Sequence, residues 1–247
     1  MADPEWVGMA ARAHCKYFVP GMDAVEVHSH LTYTTRDGAE QRYDVYGAAP
    51  GCTSAVVLLV HGGPIPSALE ATPADWGLFQ SLARILAASG IAAVMFNHRL
   101  FSLESFPTAM NDIEDLLAHL GAERICLWVF SGGGPLLGRF LRSTPTSVRC
   151  VVAYYAALHA SRSEFSAADA IEGNAGWVPP ILVARAGLDM PQLNETIDRF
   201  VAVALKKNAT IDVMNHPTGQ HGFDHRDDHE RTREILARTV EFVRTHL

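Results

Sequence analysis

Short, unbroken apolar runs recur along the chain. Longer stretches separate most of them, and there the apolar residues return every three or four positions. The runs are SAVVLLV (54–60), IAAVMFN (91–97), RICLWVF (124–130), VRCVVAYYA (148–156), PILVARAG (180–187) and ATIDVMN (209–215). A run of this length without polar alternation fits a strand buried on both faces. Residues 74–89 carry Trp76, Phe79, Leu82, Ala83 and Leu86 at helical spacing and stop at Ser89-Gly90. NDIEDLLAHLG (111–121) reads as a helix closed by glycine. GGGPLLGRFLRS (132–143) reads as another, with Leu136, Leu137, Phe140 and Leu141 on one side. Asn194 is expected to cap a helix through Ile197, Phe200, Val201, Ala204 and Leu205, and a final helix passes Leu236, Val240, Val243 and Leu247.

Upstream the pattern changes. The segment to about Pro20 reads as a short helix. VEVHSHLTYTT and EQRYDVYGA are β-rich runs on either side of Arg36-Asp37-Gly38, which predicts an antiparallel hairpin. Strand and helix then alternate five or six times. The expected fold class is therefore α/β: a mostly parallel sheet with helices on both faces, preceded by the hairpin. Residues 1–247 form one domain in this reading, with 157–179 as a short cap-like insertion. The last strand should be a sheet edge, a place where two copies can pair as a homodimer. Ligands in such sheets bind outside the carboxyl ends of the strands, so the loops there are the place to seek chemistry.

Composition narrows the classes. The 247 residues are 48% hydrophobic, enough for a large core, and the net charge of -7 implies no basic face for nucleic acid. The start, MADPEWVGMA, has no long apolar run, and no apolar stretch is long enough to span a bilayer. Cys15, Cys52, Cys126 and Cys150 form no CxxC pair and read as reduced thiols. A cytoplasmic setting without membrane contact follows as the default.

Four loops carry candidate chemistry. In VFSGGG, Ser131 stands between a buried strand and a Gly-rich helix start. A serine hydroxyl is a weak nucleophile that needs exposure, a base and donors for the oxyanion. A sharp strand-to-helix turn provides the exposure, Gly132 and Gly133 relieve its crowding, and the N–H of Gly132 points at the developing charge. HGGP (61–64) follows an earlier strand. Pro64 lacks an N–H, so Gly62 and Gly63 are the further donors, Gly63 foremost, and His61 reads as a loop-bonding residue. GLD (187–189) puts Asp189 at one carboxyl end, and QHGFD (220–224) puts His221 beyond another. The order Ser131, Asp189, His221 is that of an α/β-hydrolase triad.

These pieces, HGGP, VFSGGGP, RAGLDMPQLNETIDRF and HPTGQHGFD, resemble the α/β-hydrolase superfamily over about residues 30–247, and within it dienelactone-hydrolase-like and small carboxylesterase-like proteins. Two departures stand out. Val129 occupies the first glycine's place in G-x-S-x-G, which predicts a slightly rearranged elbow, and Ser131 stands where dienelactone hydrolases have cysteine. The resemblance implies hydrolysis of a small carboxylic ester or lactone through an acyl-enzyme, with no metal or organic cofactor. A thioesterase or peptidase of the same fold, or a non-catalytic ligand-binding member, is the alternative. Phe101, Phe106, Tyr154, Trp177, Leu188 and Phe223 lie near predicted carboxyl ends and are candidates for an apolar substrate pocket. Asp224 and Asp212 are rival partners for His221; Asp224 reads as a loop tie and Asp212 as a strand residue. Arg99, in NHR (97–99), either touches substrate or pins its loop. His225 and His229 read as the polar first turn of the last helix in preference to a metal pair.

Overall fold

The computed structural model describes residues 11–51, 54–69 and 71–247. The expected hairpin is present as β1 (Val27–Thr34) and β2 (Glu40–Tyr46), paired antiparallel. The apolar runs become β3 (Ala55–Val60), β4 (Ala93–Phe96), β5 (Arg124–Phe130), β6 (Val148–Tyr154), β7 (Ile181–Ala186) and β8 (Ile211–His216). All eight strands share one sheet in the order β1-β2-β4-β3-β5-β6-β7-β8. β2 meets β4 antiparallel, and every pairing from β4 to β8 is parallel. The expected α/β class, with a hairpin ahead of a mostly parallel sheet, is what the structure has.

Period-2 alternation explains why the central runs are apolar throughout. Val56, Leu58 and Val60 of β3 enter one core layer, while Val57 and Leu59 enter the other. The first layer is closed by helices α2 (Phe106–Leu120), α3 (Leu137–Arg142), α4 (Ala167–Gly173) and α5 (Pro191–Lys206). The second is closed by α1 (Gly77–Ala88) and α7 (Glu230–His246). A strand covered on both sides has no position at which a polar side chain reaches water. Cys126 and Cys150 are neighbours across β5 and β6, both buried free thiols; Cys52 lies outside the described residues.

Several boundaries differ from expectation, each for a local reason. α2 starts at Phe106, five residues early, because Pro107 sits in its first turn, where its missing N–H is no loss. α5 starts at Pro191 for the same reason, so Asn194 lies inside the helix and caps nothing. Its side-chain amide instead donates to the carbonyl of Ala186, fastening the helix to the end of β7. The helix expected over 132–143 splits into a 3-10 segment, Ser131–Leu136, followed by α3. His225 belongs to a separate short helix, α6 (Phe223–Arg226), while His229 caps α7 by accepting from the N–H of Arg231. The helix expected up to Pro20 falls largely outside the described residues; only 11–12 are helical among those described. No helix among the described residues is long and apolar enough to cross a membrane.

Leu58 is fully buried at the middle of the sheet. Leu58→Ala is expected to lower the unfolding free energy by about 2–5 kcal/mol, through lost burial plus the cavity left behind. Urea unfolding followed by circular dichroism checks this; an unchanged midpoint would contradict the layer assignment.

Candidate active site

Ser131 directly follows β5. Its φ of 50° puts it in the left-handed region, which a residue with a Cβ rarely adopts. Such a turn holds only where the surroundings over-determine it, and here they do. The carbonyl of Ser131 accepts the N–H of Ala157 at 3.0 Å. The next three residues are pressed against neighbouring main chain. A Cβ on Gly132 would lie 1.8 Å from the carbonyl oxygen of Gly63; one on Gly133, 2.6 Å from that of His61; one on Gly134, 2.3 Å from that of Ala157. A Cβ on Gly62 would meet the Cβ of Ser131 itself at 2.9 Å. The loop after β3 and the turn after β5 are thus in main-chain contact, and only glycine fits there. The elbow forms with Val129 in place of the usual first glycine, because Val129 is still a strand residue packed in the core.

The three expected site residues meet. Ser131 Oγ and His221 Nε2 are 2.8 Å apart, and His221 Nδ1 and Asp189 Oδ2 are 2.7 Å apart. Asp189 accepts a second bond at Oδ1, from the N–H of Met190 at 2.7 Å, and its side chain is buried. The loops bearing Asp189 and His221 are knitted together. Gly187 N–H donates to the carbonyl of His216, and Leu188 N–H donates to that of Gly219. The rival acids go elsewhere: Asp212 lies within β8, and Asp224 is buried among other partners.

The HGGP loop is set by two histidines. His61 Nδ1–H donates to the carbonyl of Gly62 at 2.6 Å, and His98 Nε2–H donates to the carbonyl of His61 at 3.0 Å. The N–H of His98 meets His61 Nε2 at 3.4 Å, and the two rings stack 3.5 Å apart, 9° from parallel. In a trans peptide the C=O and N–H point in opposite directions. Drawing the carbonyls of His61 and Gly62 onto imidazole donors therefore turns the N–H groups of Gly62 and Gly63 the other way. No backbone carbonyl among the described residues accepts from either. Burial pushes His61 down to about 4 against its two backbone contacts, and pushes His98 well below the ordinary histidine value, with His61 adding to the effect. Both rings are thus neutral near pH 7. Arg99 pins this region: its guanidinium and N–H hold buried Asp112, and it also reaches Asp37.

The pocket candidates divide. Phe101 is partly exposed and lines a cavity of about 450 Å³ with His61, Ile65, Leu69 and Arg42. Leu188 is exposed beside Asp189, and Trp177 is exposed between α4 and β7. Tyr154 and Phe223, expected near a substrate pocket, lie in the interior. Both are fully buried in an aromatic cluster with Trp128 and Phe130, and the Tyr154 hydroxyl is spent on Thr239. Phe106 is largely buried against Phe165, and the two line a second cavity of about 280 Å³ with Leu103 and Ala160. The neighbour of Tyr154 is the residue that reaches the site: Tyr155 packs its ring against His221 at 4.8 Å. Tyr154 is the last residue of β6, and the chain turns at Tyr155 with φ 38°. Continuing the strand's alternation by one residue picks the wrong tyrosine. His98 was visible only as part of NHR.

No protein-family model matches the sequence, and no curated protein matches it in sequence. Solved structures do match in fold. A thermostable esterase from Pseudomonas putida ECU1011 superposes with a TM-score of 0.74 at 17% identity, covering 98% of this chain and 88% of that one. Brefeldin A esterase, a bacterial homologue of human hormone-sensitive lipase, gives 0.71 at 17% identity, covering 98% and 82%. Dipeptidyl peptidase 4 of Porphyromonas gingivalis gives 0.68 at 13% identity, covering 90% of this chain and 35% of that one. The chain has the α/β-hydrolase fold, as its motifs led us to expect. The dienelactone-like part of the resemblance has no support among these three. A fold that carries both esterases and a peptidase does not name an activity.

Two outcomes follow from the packing. Gly132→Ala forces a Cβ into a main-chain carbonyl that cannot rotate away, so thermal unfolding should show a loss of about 1–3 kcal/mol; an unchanged melting temperature would contradict the contact. The histidine pair makes stability pH-dependent. Below about pH 6.5 the unfolded chain binds protons at both histidines that the folded chain refuses, so stability falls as pH drops from there toward about 4. The slope is about 1.4 kcal/mol per pH unit for each histidine. Urea unfolding between pH 6 and pH 4.5, set against the same series for His98→Asn, isolates one of them: the variant should lose roughly half the extra slope, and equal slopes would contradict the account.

Proposed function

We propose that this protein is a serine hydrolase that cleaves small carboxylic esters through an acyl-enzyme. The observation that carries the reading is the continuous chain from Ser131 Oγ to His221 Nε2 and from His221 Nδ1 to Asp189, at 2.8 and 2.7 Å. Ser131 Oγ attacks the acyl carbonyl carbon as His221 Nε2 takes the hydroxyl proton. Asp189, buried and accepting at both oxygens, holds the imidazole with Nδ1 protonated and balances the imidazolium that forms. The oxyanion is received by the N–H groups of Gly62, Gly63 and Gly132. The C–O bond to the alcohol then breaks, and His221 returns the proton to the departing oxygen. Water repeats the sequence: His221 takes its proton, hydroxide adds to the acyl carbon, and Ser131 leaves with the proton restored. Every step uses groups of this chain.

The similarity in fold to solved esterases supports an ester as substrate. The short insertion over the site supports a small one. The insertion between β6 and β7 contributes only a 3-10 turn, Ser163–Phe165, and the seven-residue α4.

The test is a panel of short-chain p-nitrophenyl esters, lactones, acyl thioesters and aminoacyl amides, assayed with wild type, Ser131→Ala and Asp189→Asn. The short esters should give the highest kcat/KM. Ser131→Ala should lose at least about 10³-fold, and Asp189→Asn, which leaves the imidazole in the wrong tautomer, up to about 10⁴-fold in kcat. Ester hydrolysis by Ser131→Ala at the wild-type rate would contradict the proposal. A preference for thioesters or amides would keep the nucleophile and move the substrate class.

A further inference from the structure

Behind His221 lies a buried polar cluster that the proposed reaction does not use. Tyr155, Asp224 and His225 are all shielded from solvent. The Tyr155 hydroxyl donates to both carboxylate oxygens of Asp224, at 2.9 and 3.0 Å, and His225 Nδ1 lies 3.1 Å from Asp224 Oδ1. The carbonyl of Asp224 accepts the N–H of Lys16 at 2.7 Å. The edge-to-face ring contact between Tyr155 and His221 has an interplanar angle of 61°. Burial first, and then Asp224, push the Tyr155 phenol well above its ordinary value, so the hydroxyl keeps its proton and acts as a donor.

The arrangement joins two chain segments that the sheet does not pair. Tyr155 immediately follows β6, where its own N–H is held by the carbonyl of Ala184. Asp224 sits three residues beyond His221, in α6. The Tyr155–Asp224 bond therefore ties the segment carrying His221 to the end of the sheet. It also locks the phenol ring in the orientation in which it meets the imidazole. A left-handed φ at a bulky residue persists only where such contacts hold it, and Tyr155 has φ 38°.

His221 needs this kind of support. Its two hydrogen bonds lie at its two nitrogens, so they fix the ends of a line through the ring. They leave the ring free to tilt about that line, which swings the Nε2 lone pair and Nδ1–H out of the directions that Ser131 and Asp189 require. A second ring held in contact with the imidazole, as Tyr155 is at 4.8 Å between centroids, restricts the tilt.

We infer that Tyr155, anchored by Asp224, is a positioning residue that fixes the plane of the His221 imidazole between Ser131 and Asp189. The inference rests on the reading of His221 as the base. Tyr155→Phe is the probing variant, since it keeps the ring and removes only the hydroxyl that orients it. Two readouts are taken on the full chain. The first is the low-field NMR resonance of the His221 Nδ1 proton, identified by its absence in His221→Gln. The second is kcat and KM on p-nitrophenyl acetate, corrected for the folded fraction by circular dichroism.

Tyr155→Phe should broaden or move the resonance, lower kcat about tenfold and leave KM within about twofold, as expected for a base held slightly out of line. An unchanged resonance would overturn the inference, as would a loss of kcat accounted for by the unfolded fraction. The resonance is read without turnover. If Ser131→Ala hydrolyses the ester as wild type does, the nucleophile assignment fails, and the resonance still decides whether Tyr155 holds His221.

Discussion

The site depends on main chain meeting main chain where β3 and β5 end. With Gly63 and Gly132 in contact across the two turns, the distance between strands fixes the distance between a serine and its nearest backbone donors. That separation is set by main chain, so its entropy is lost once, when the sheet forms, while His61 and His98 set the direction of the donors. The same contact holds Ser131 in its unfavourable backbone conformation, because the chain on either side of the turn cannot move away. Parallel pairing from β5 through β6 and β7 to β8 then brings the loops bearing Asp189 and His221 to the same end of the sheet.

Around that contact, each polar group of the site is held by a partner that does not itself react. His61 and His98 fix two peptide planes, Met190 N–H holds the second oxygen of Asp189, and Arg99 with Asp112 anchors the loop that carries His98. Several of these partners are buried, and burial is what keeps the two stacked imidazoles neutral. A neutral pair can both donate and accept, which a doubly protonated pair cannot. In the proposed reaction, rigidity of the donors matters because an oxyanion hole contributes most when its dipoles need no reorganisation.

Much of this was readable in the chain. Unbroken apolar runs such as Val56–Val60 named strands buried on two sides, and the two-layer core follows from them. Ser131, Asp189 and His221 were legible because each stands at a strand end in triad order, next to glycines that only close packing requires. What stayed hidden depends on three-dimensional neighbours. Asn194 resembles a cap by composition, yet Pro191 starts the helix earlier and frees Asn194 to bind Ala186. Tyr154 and Tyr155 are chemically the same, and only the break at φ 38° decides which one faces His221. Ring stacking between His61 and His98, residues on different strand ends, leaves no local trace in sequence at all.

The central claim is that Ser131 is a nucleophile activated by His221. Reaction with a fluorophosphonate tests it without knowledge of the substrate, because the reagent needs only an activated serine and an oxyanion hole. Intact mass and peptide mapping should show one adduct per chain, located on Ser131, formed at a rate that drops by orders of magnitude in His221→Gln. An unlabelled wild-type chain, or an adduct that persists in Ser131→Ala, would contradict the account.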